Sequence, residues 1–237
     1  MTYRLLPPLL SLLALQGCRF GADERSIPTR TETQSINLDK SEMVRVDLRM
    51  AAGEMKVHPG AAGKLMDATF TYNVASWKPE VRYNATGFRG NLNVEQHAGG
   101  HGGHHDVKNI WDIQLNDQVP LDVIANMGAG EGRLDLGGLS LRSVQVHLGA
   151  GAVRLDLRGN PKHDYDVEVR GGVGEADIWV PHGAGVVAEA SGGLGGIKAD
   201  GFTQRNGKYY NDAYEKAQVR IHLDVKGGIG QINLHSD

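Results

Sequence analysis

Val144-Gln-Val-His-Leu-Gly149-Ala-Gly151-Ala-Val-Arg-Leu155 is the most regular stretch of this 237-residue chain, and its pattern occurs six times. Each copy is an alternating run, a small residue, a spacer, a glycine and a second alternating run. The glycines are Gly53, Gly130, Gly151, Gly174, Gly195 and Gly230; two residues before them sit Ala51, Gly128, Gly149, Gly172, Gly193 and Gly228. Positions seven, five and three before the glycine, and two and four after it, number thirty, of which twenty-six are apolar and four are glycine. The positions between them are polar: Asp47, Arg49, Glu54 and Lys56 in the first copy, Glu168, Arg170, Glu175 and Asp177 in the fourth. This period of two excludes a helix and predicts strands with one buried face.

The glycines lie 77, 21, 23, 21 and 35 residues apart. A unit of about 20 residues carrying two short strands cannot bury a core alone, so neighbouring units must stack. The chain therefore reads as all-β, a solenoid-like stack of short strands with Gly-rich corners. The corner glycine suits a positive φ or a close approach between rungs. The alternative is an antiparallel β-sandwich whose Gly-Ala-Gly segments close hairpins. Two insertions interrupt the array. The first, Gly60 to about Pro120, contains strand-like runs at Asp67 to Val74, Glu80 to Asn84, Asn91 to Gln96 and Trp111 to Leu115. The second, Phe202 to Tyr210, centres on Asn206-Gly207, a hairpin signal.

At the N-terminus, Arg4 precedes an apolar run from Leu5 to Leu15, and Leu15-Gln-Gly-Cys18 ends it at the chain's single cysteine. The segment resembles a bacterial lipoprotein signal, which implies removal of residues 1–17 and a lipid on the Cys18 thiol. An ordinary secretory signal with an incidental cysteine is the other reading. Eleven apolar-rich residues that include Pro7 and Pro8 fall short of the ~20 needed to cross a bilayer. Residues 18–37 are polar and without periodicity, and read as the lipidated cysteine and a tether. Residues 38–237 then form a single β body. With 25 Lys and Arg against 28 Asp and Glu, a net charge of -3, the chain lacks the basic footprint of a nucleic-acid binder.

One cluster suggests chemistry: His97-Ala-Gly-Gly-His101-Gly-Gly-His104-His105-Asp106. His101, His104, His105 and Asp106 are candidate ligands for a divalent transition metal, because imidazoles with a carboxylate suit zinc, copper or nickel. The competing reading is a solvated hairpin tip, since ordering such a loop costs ~1–2 kcal/mol per residue. No other cofactor is called for. Gly128-Ala-Gly-Glu-Gly132 sits between alternating strands and opens no helix, so it is a corner and not a dinucleotide loop. The carboxylates fall on outward positions beside Arg and Lys, as solvated cross-strand pairs do. No catalytic residue emerges. The aromatics Tyr72, Trp77, Tyr83 and Trp111 in the first insertion, with Tyr209, Tyr210 and Tyr214 in the second, read either as caps on the core or, if the insertions meet, as a shelf for glycan or peptide.

Phe70-Thr-Tyr-Asn-Val74, Trp77-Lys-Pro-Glu-Val81, Trp111-Asp-Ile-Gln-Leu-Asn116, Val119-Pro-Leu121 and the Gly-Ala-Gly repeats together resemble the toast-rack family of bacterial envelope proteins. Ser191-Gly-Gly-Leu-Gly-Gly196, Asn211-Asp-Ala-Tyr214 and Lys226-Gly-Gly-Ile-Gly230 are similar to the soluble domain of LiaF-like proteins, which take part in responses to cell-wall-active antibiotics. The resemblance covers about residues 40 to 237, with residues 38–160 toast-rack-like and 161–237 LiaF-like. It implies stacked strands and no catalytic residue. The expected function is a non-enzymatic envelope lipoprotein outside the cytoplasm, an interaction or scaffold module at the membrane surface. Its partners would be the membrane, through the lipid, and an envelope protein or glycan. A metal-binding role for the His-rich loop and modulation of an envelope-stress response are the alternatives.

Overall fold

A computed structural model describes residues 26–97 and 107–236. In chain order the strands are β1 (Ser26–Asn37), β2 (Met43–Pro59), β3 (Lys64–Val74), β4 (Pro79–Thr86), β5 (Arg89–Gln96), β6 (Asn109–Leu115) and β7 (Leu121–Asp135). They continue with β8 (Leu141–Asp156), β9 (Tyr165–Val180), β10 (Gly185–Leu194), β11 (Ile197–Asp200), β12 (Phe202–Arg205), β13 (Lys208–Asn211) and β14 (Arg220–Ser236). No helix among the described residues is long and apolar enough to cross a membrane.

The repeats stack in parallel and in register. Gly53 lies beside Gly130, Gly130 beside Gly151, Gly151 beside Gly174 and Gly174 beside Gly230. Strands β2, β7, β8, β9 and β14 each run through the corner without a break, so the glycine turns a strand and closes no hairpin. Each such strand contributes one arm before the corner and one after it, and short connections such as 136–140 return the chain to the next rung. Inward side chains from both arms meet in one core, which includes Val46, Val57, Val146, Leu155, Val167 and Ile178. At about 1.5–3 kcal/mol for each fully buried aliphatic side chain, a stack gathers what a single rung cannot.

Backbone approach explains the corners. Gly151 has φ +130°, and a Cβ there would lie 1.9 Å from the Gly130 carbonyl oxygen. A Cβ at Gly149 would lie 2.3 Å from the Gly128 oxygen, although that glycine has no unusual φ. The two glycines of a corner are thus required for different reasons.

Spatial order departs from chain order at the C-terminal end, where the sequence runs β9-β14-β10. The last repeat slots between its two predecessors. The β12–β13 hairpin makes this reversal by pairing antiparallel with β10 from outside, with Asn206 and Gly207 at positive φ in its turn. Asn211 clips the hairpin down: its Oδ1 accepts the Val186 N–H at 2.8 Å and its Nδ2 donates to the Ala184 carbonyl at 2.8 Å.

The first insertion supplies an additional rung. β5 pairs with the pre-corner arm of β2 and β6 with its post-corner arm, both parallel. β5 ends at Gln96 and β6 begins at Asn109, so this rung is two strands where the others are one. β4 and β3 extend these two halves, and β1 pairs antiparallel with β3. Residues 26–37, expected to be tether, are therefore an edge strand of the body. Its interactions are mostly polar: Thr31 and Thr71 hydroxyls are 3.1 Å apart and Tyr72 Oη donates to Glu32 at 2.7 Å, while Ile36 packs against the core. With few apolar side chains to bury, β1 shows no hydrophobic period. The expected division at 160/161 also falls inside a continuous stack, because the β8–β9 ladder spans it.

Gly151→Ala is expected to destabilise by about 2–5 kcal/mol through backbone strain and carbonyl collision. Gly171→Ala, where a Cβ meets nothing within 4 Å, is expected to stay within about 1 kcal/mol of the parent. Urea unfolding of the two variants checks the contrast.

Candidate interaction surface

Register turns a two-residue period into rows in which equivalent outward residues of successive rungs stand side by side. Four positions before the glycine, Arg49, Asn126, His147, Arg170, Lys226 and Ser191 lie side by side across the stack. Six before it, the row is Asp47, Ile124, Gln145, Glu168, Asp224 and Glu189. One after it are Glu54, Glu131, Ala152, Glu175 and Gln231. Like charges on adjacent strands repel, and pairs along each strand relieve this. Arg49 reaches Asp47 at 2.8 Å, Arg133 reaches Glu131 at 2.9 Å and Arg170 reaches Glu168 at 3.0 Å. Arg170 also bridges rungs to Asp224 at 2.8 Å, and its hydrogen bond holds the Asp224 carboxyl below its ordinary pKa. Lys208, then His222, does the same for Glu189.

The interrupted rung is knitted together by amides. Gln96 Oε1 accepts from the Ala51 N–H at 3.0 Å and from Asn109 Nδ2 at 2.8 Å. Asn109 Nδ2 also donates to the Ala52 carbonyl at 2.6 Å, and Asn109 Oδ1 accepts from Trp111 Nε1 at 3.1 Å. Gln96 Nε2 is buried without a partner. Outside this network runs a shallow groove of about 620 Å3, floored by Ala51, Gly128, Gly149 and Gly172 and flanked by Arg49, His147 and Arg170.

Inside the corners, the stack changes character along its length. Three before the glycine stand Met50, Met127 and Leu148, all buried, and then Gly171, Gly227 and Gly192. The missing side chains leave an apolar crevice of about 150 Å3 bounded by Leu148, Val153, Val169, Ala176, Val225 and Ile232. The spacer residues change in the opposite sense. Ala52, Ala129 and Ala150 occupy the first corners; Val173, Ile229 and Leu194 occupy the last and are 53%, 53% and 70% exposed.

The candidate residues Cys18, His101, His104, His105 and Asp106 lie outside the described residues. Among the described residues no group of three or more His, Cys, Asp or Glu is placed to hold a metal. The two insertions sit at opposite ends of the stack, so their aromatics form no joint shelf. Tyr72 and Trp111 are buried, and Trp111 meets Phe70 edge-on at 5.6 Å. Burial, helped by Glu32, pushes the Tyr72 phenol up to about 12. Tyr83 and Tyr209 pack against the core, and Tyr210 lies against Tyr214 at 4.8 Å. Sequence reasoning did not find the exposed corner residues as a group, although Val173, Leu194 and Ile229 standing where other repeats have Ala was the signal.

Comparison with known proteins agrees with this architecture. Residues 25–179 match the N-terminal domain of toast_rack, and residues 130–234 match the C-terminal domain of the cell wall-active antibiotics response protein LiaF. The fold is similar to a candidate cell adhesion protein from Clostridium sporogenes at 30% identity and TM-score 0.86, covering 89% of this chain and 100% of that one. A candidate adhesin from Bacteroides fragilis aligns at 10% identity and TM-score 0.30 over 88% of this chain and 97% of that one. A comparison with curated proteins returns no match. The chain belongs to the toast-rack family, with a LiaF-like C-terminal part.

Because Arg170 favours the charged form of Asp224, the stability from this pair is present above the ordinary carboxylate pKa of 3.8 and is lost as pH falls through the lower folded value. Asp224→Asn is expected to cost about 0.5 kcal/mol near neutral pH, given the solvent exposure of the pair. The difference from the parent should shrink as pH is lowered from neutral to below the ordinary carboxylate value of 3.8. Urea titrations at both ends of this range provide the check.

Proposed function

We propose that this toast-rack protein is a non-enzymatic envelope lipoprotein that presents its ribbed, charge-striped faces to another component of the cell envelope. The observation that carries the reading is the row structure itself. Rigid parallel rungs set equivalent outward side chains side by side at one strand spacing, ~4.8 Å, with Glu168, Asp224 and Glu189 adjacent in one row and Arg170 beside Lys226 in another. Such a surface suits an extended or repetitive partner. Many outward carboxylates are engaged by the Arg or Lys two residues along, as Asp47 is by Arg49 and Glu131 by Arg133, and Glu189 is held by Lys208 of a neighbouring strand. Likeness to the candidate adhesion protein of Clostridium sporogenes supports an adhesive role.

Attachment would come from a lipid on Cys18, after removal of residues 1–17. The eight residues from Cys18 to Ser26 then join lipid to body. The LiaF-like match favours a second reading, in which the partner belongs to an envelope-stress response.

Membrane fractions of cells expressing the protein are expected to yield an N-terminal peptide carrying a diacylglyceryl modification on Cys18, and Cys18→Ser should release the protein into the soluble fraction. Crosslinkers placed at Arg49 and Arg154 in intact cells should recover one recurrent partner. An unmodified Cys18 would sink the anchor, and recovery of no recurrent partner would sink the interaction role. Deleting the gene without changing the response to wall-active antibiotics would remove the second reading.

A further inference from the structure

Six large apolar side chains are exposed among the described residues: Leu38, Phe88, Val107, Val173, Leu194 and Ile229. Four of them lie along the corner edge of the stack. Val173 pairs with Ile229 and Ile229 with Leu194, so three form a continuous row. Val107 stands two residues before Asn109, whose carbonyl oxygen packs on the Gly53 corner. Leu38 and Phe88 sit at the opposite edge, where the strands begin; the Phe88 carbonyl accepts the Glu42 N–H at 2.8 Å.

The chain enters the body from the corner edge too. Ser26 pairs with Val74, two residues beyond Tyr72, and Tyr72 lies opposite Asn109 at the level of the corner. From Cys18 to Ser26 is eight residues, a reach of roughly 29 Å at most.

We propose that the corner edge is the face this protein lays against a lipid bilayer, with Val173, Ile229 and Leu194 entering the interfacial layer. The orientation rests on the Cys18 anchor proposed above. The chemistry rests on the edge itself. Its apolar row is flanked on the pre-corner side by Arg170 and Lys226, cationic groups with long stems that reach headgroup phosphates while their carbons lie along apolar surface. On the post-corner side the neighbours are Glu175 and the neutral Gln231 and Gly196. Both cations also have carboxylate partners on the side away from the row, Arg170 with Glu168 and Asp224 and Lys226 with Asp224 at 3.4 Å. A second copy of the chain fits less well, since three side chains fall far short of the ~800 Å2 that each partner buries in a stable dimer. Val173 and Ile229 also border the apolar crevice of these rungs, yet each keeps about half of its surface exposed, 53% for both.

The test uses the full lipidated protein in vesicles of phosphatidylethanolamine and phosphatidylglycerol. With Cys18 carrying lipid, Leu194→Cys adds a unique thiol for a bimane label; Asn160→Cys, on an exposed return loop, is the control. Lipids brominated at the upper acyl chain are expected to quench the label at residue 194 at least about twofold more than at 160, as an interfacial side chain requires. Equal quenching, or more at 160, overturns the proposal. Sedimentation showing a dimer that is lost on Val173→Ser, Ile229→Ser and Leu194→Ser together would assign the row to a second copy and overturn it as well. If mass analysis finds Cys18 unmodified, the anchor fails separately. The labelled Cys18→Ser protein is then mixed with the same vesicles, where preferential quenching at 194 upholds the face and its absence rejects it.

Discussion

The carbonyl oxygen of one corner glycine rests on the Cα of the glycine in the next rung, where a side chain would be impossible. A Cβ on Gly174 would come within 1.6 Å of the Gly151 oxygen, and one on Gly230 equally close to that of Gly174. Contact this close holds only if successive rungs are parallel and level. It therefore fixes the register of every ladder from β2 to β14, and with it the position of each side chain relative to the equivalent one in the next repeat. The inward positions become a shared core and the outward ones become rows.

Stacking leaves the problem of how to stop, since an open ladder exposes unpaired backbone groups. The protein treats its four edges differently. At the N-terminal end the pre-corner sheet is continued by β5 and β4 and the post-corner sheet by β6, β3 and β1. At the C-terminal end the pre-corner sheet is continued by β13 and β12, whereas β11, only four residues long, pairs with β14 alone. Edge strands carry the polar character expected of them: β1 is rich in Thr and contains Pro28 at an irregularity in its register. The buried amides Asn109 and Asn211 serve at the two ends, each satisfying main-chain groups where a ladder is interrupted or reversed.

Period and glycine spacing made the repeats legible, because both follow from geometry local to one rung. The strand-like runs of the first insertion and the Asn206-Gly207 hairpin were legible for the same reason. Long-range order was not. Nothing in the pattern around Gly230 says that it lies between Gly174 and Gly195, since all three repeats place apolar residues at the same offsets. A faint sign exists in the small inward residues Ala188, Ala190, Gly192 and Ala199 of the outermost rung, which has less core to fill. β1 was missed because its half-buried face, Glu32, Gln34 and Ile36, is mostly polar and shows no apolar alternation. The interrupted rung escaped notice because Gln96 and Asn109 stand where a corner would be, and their shared hydrogen bond is invisible in the sequence. The charged rows were present as alternation, but their chemistry needs the register to become a surface.

A backbone so tightly determined leaves little freedom for function except in decoration. The corner glycines cannot change, and the inward positions tolerate only apolar residues near their present volumes. Outward side chains and corner spacers carry no such constraint, and there the repeats differ most. Through the first three corners the spacer is Ala and the inward neighbour is Met or Leu; through the last three the spacer is Val, Ile or Leu and the inward neighbour is Gly. Core packing alone would favour the opposite, because emptying the inside while exposing apolar groups outside forgoes burial twice. An arrangement that is unfavourable for the isolated fold, and confined to adjacent rungs on one edge, points to an apolar environment outside the protein that meets those side chains.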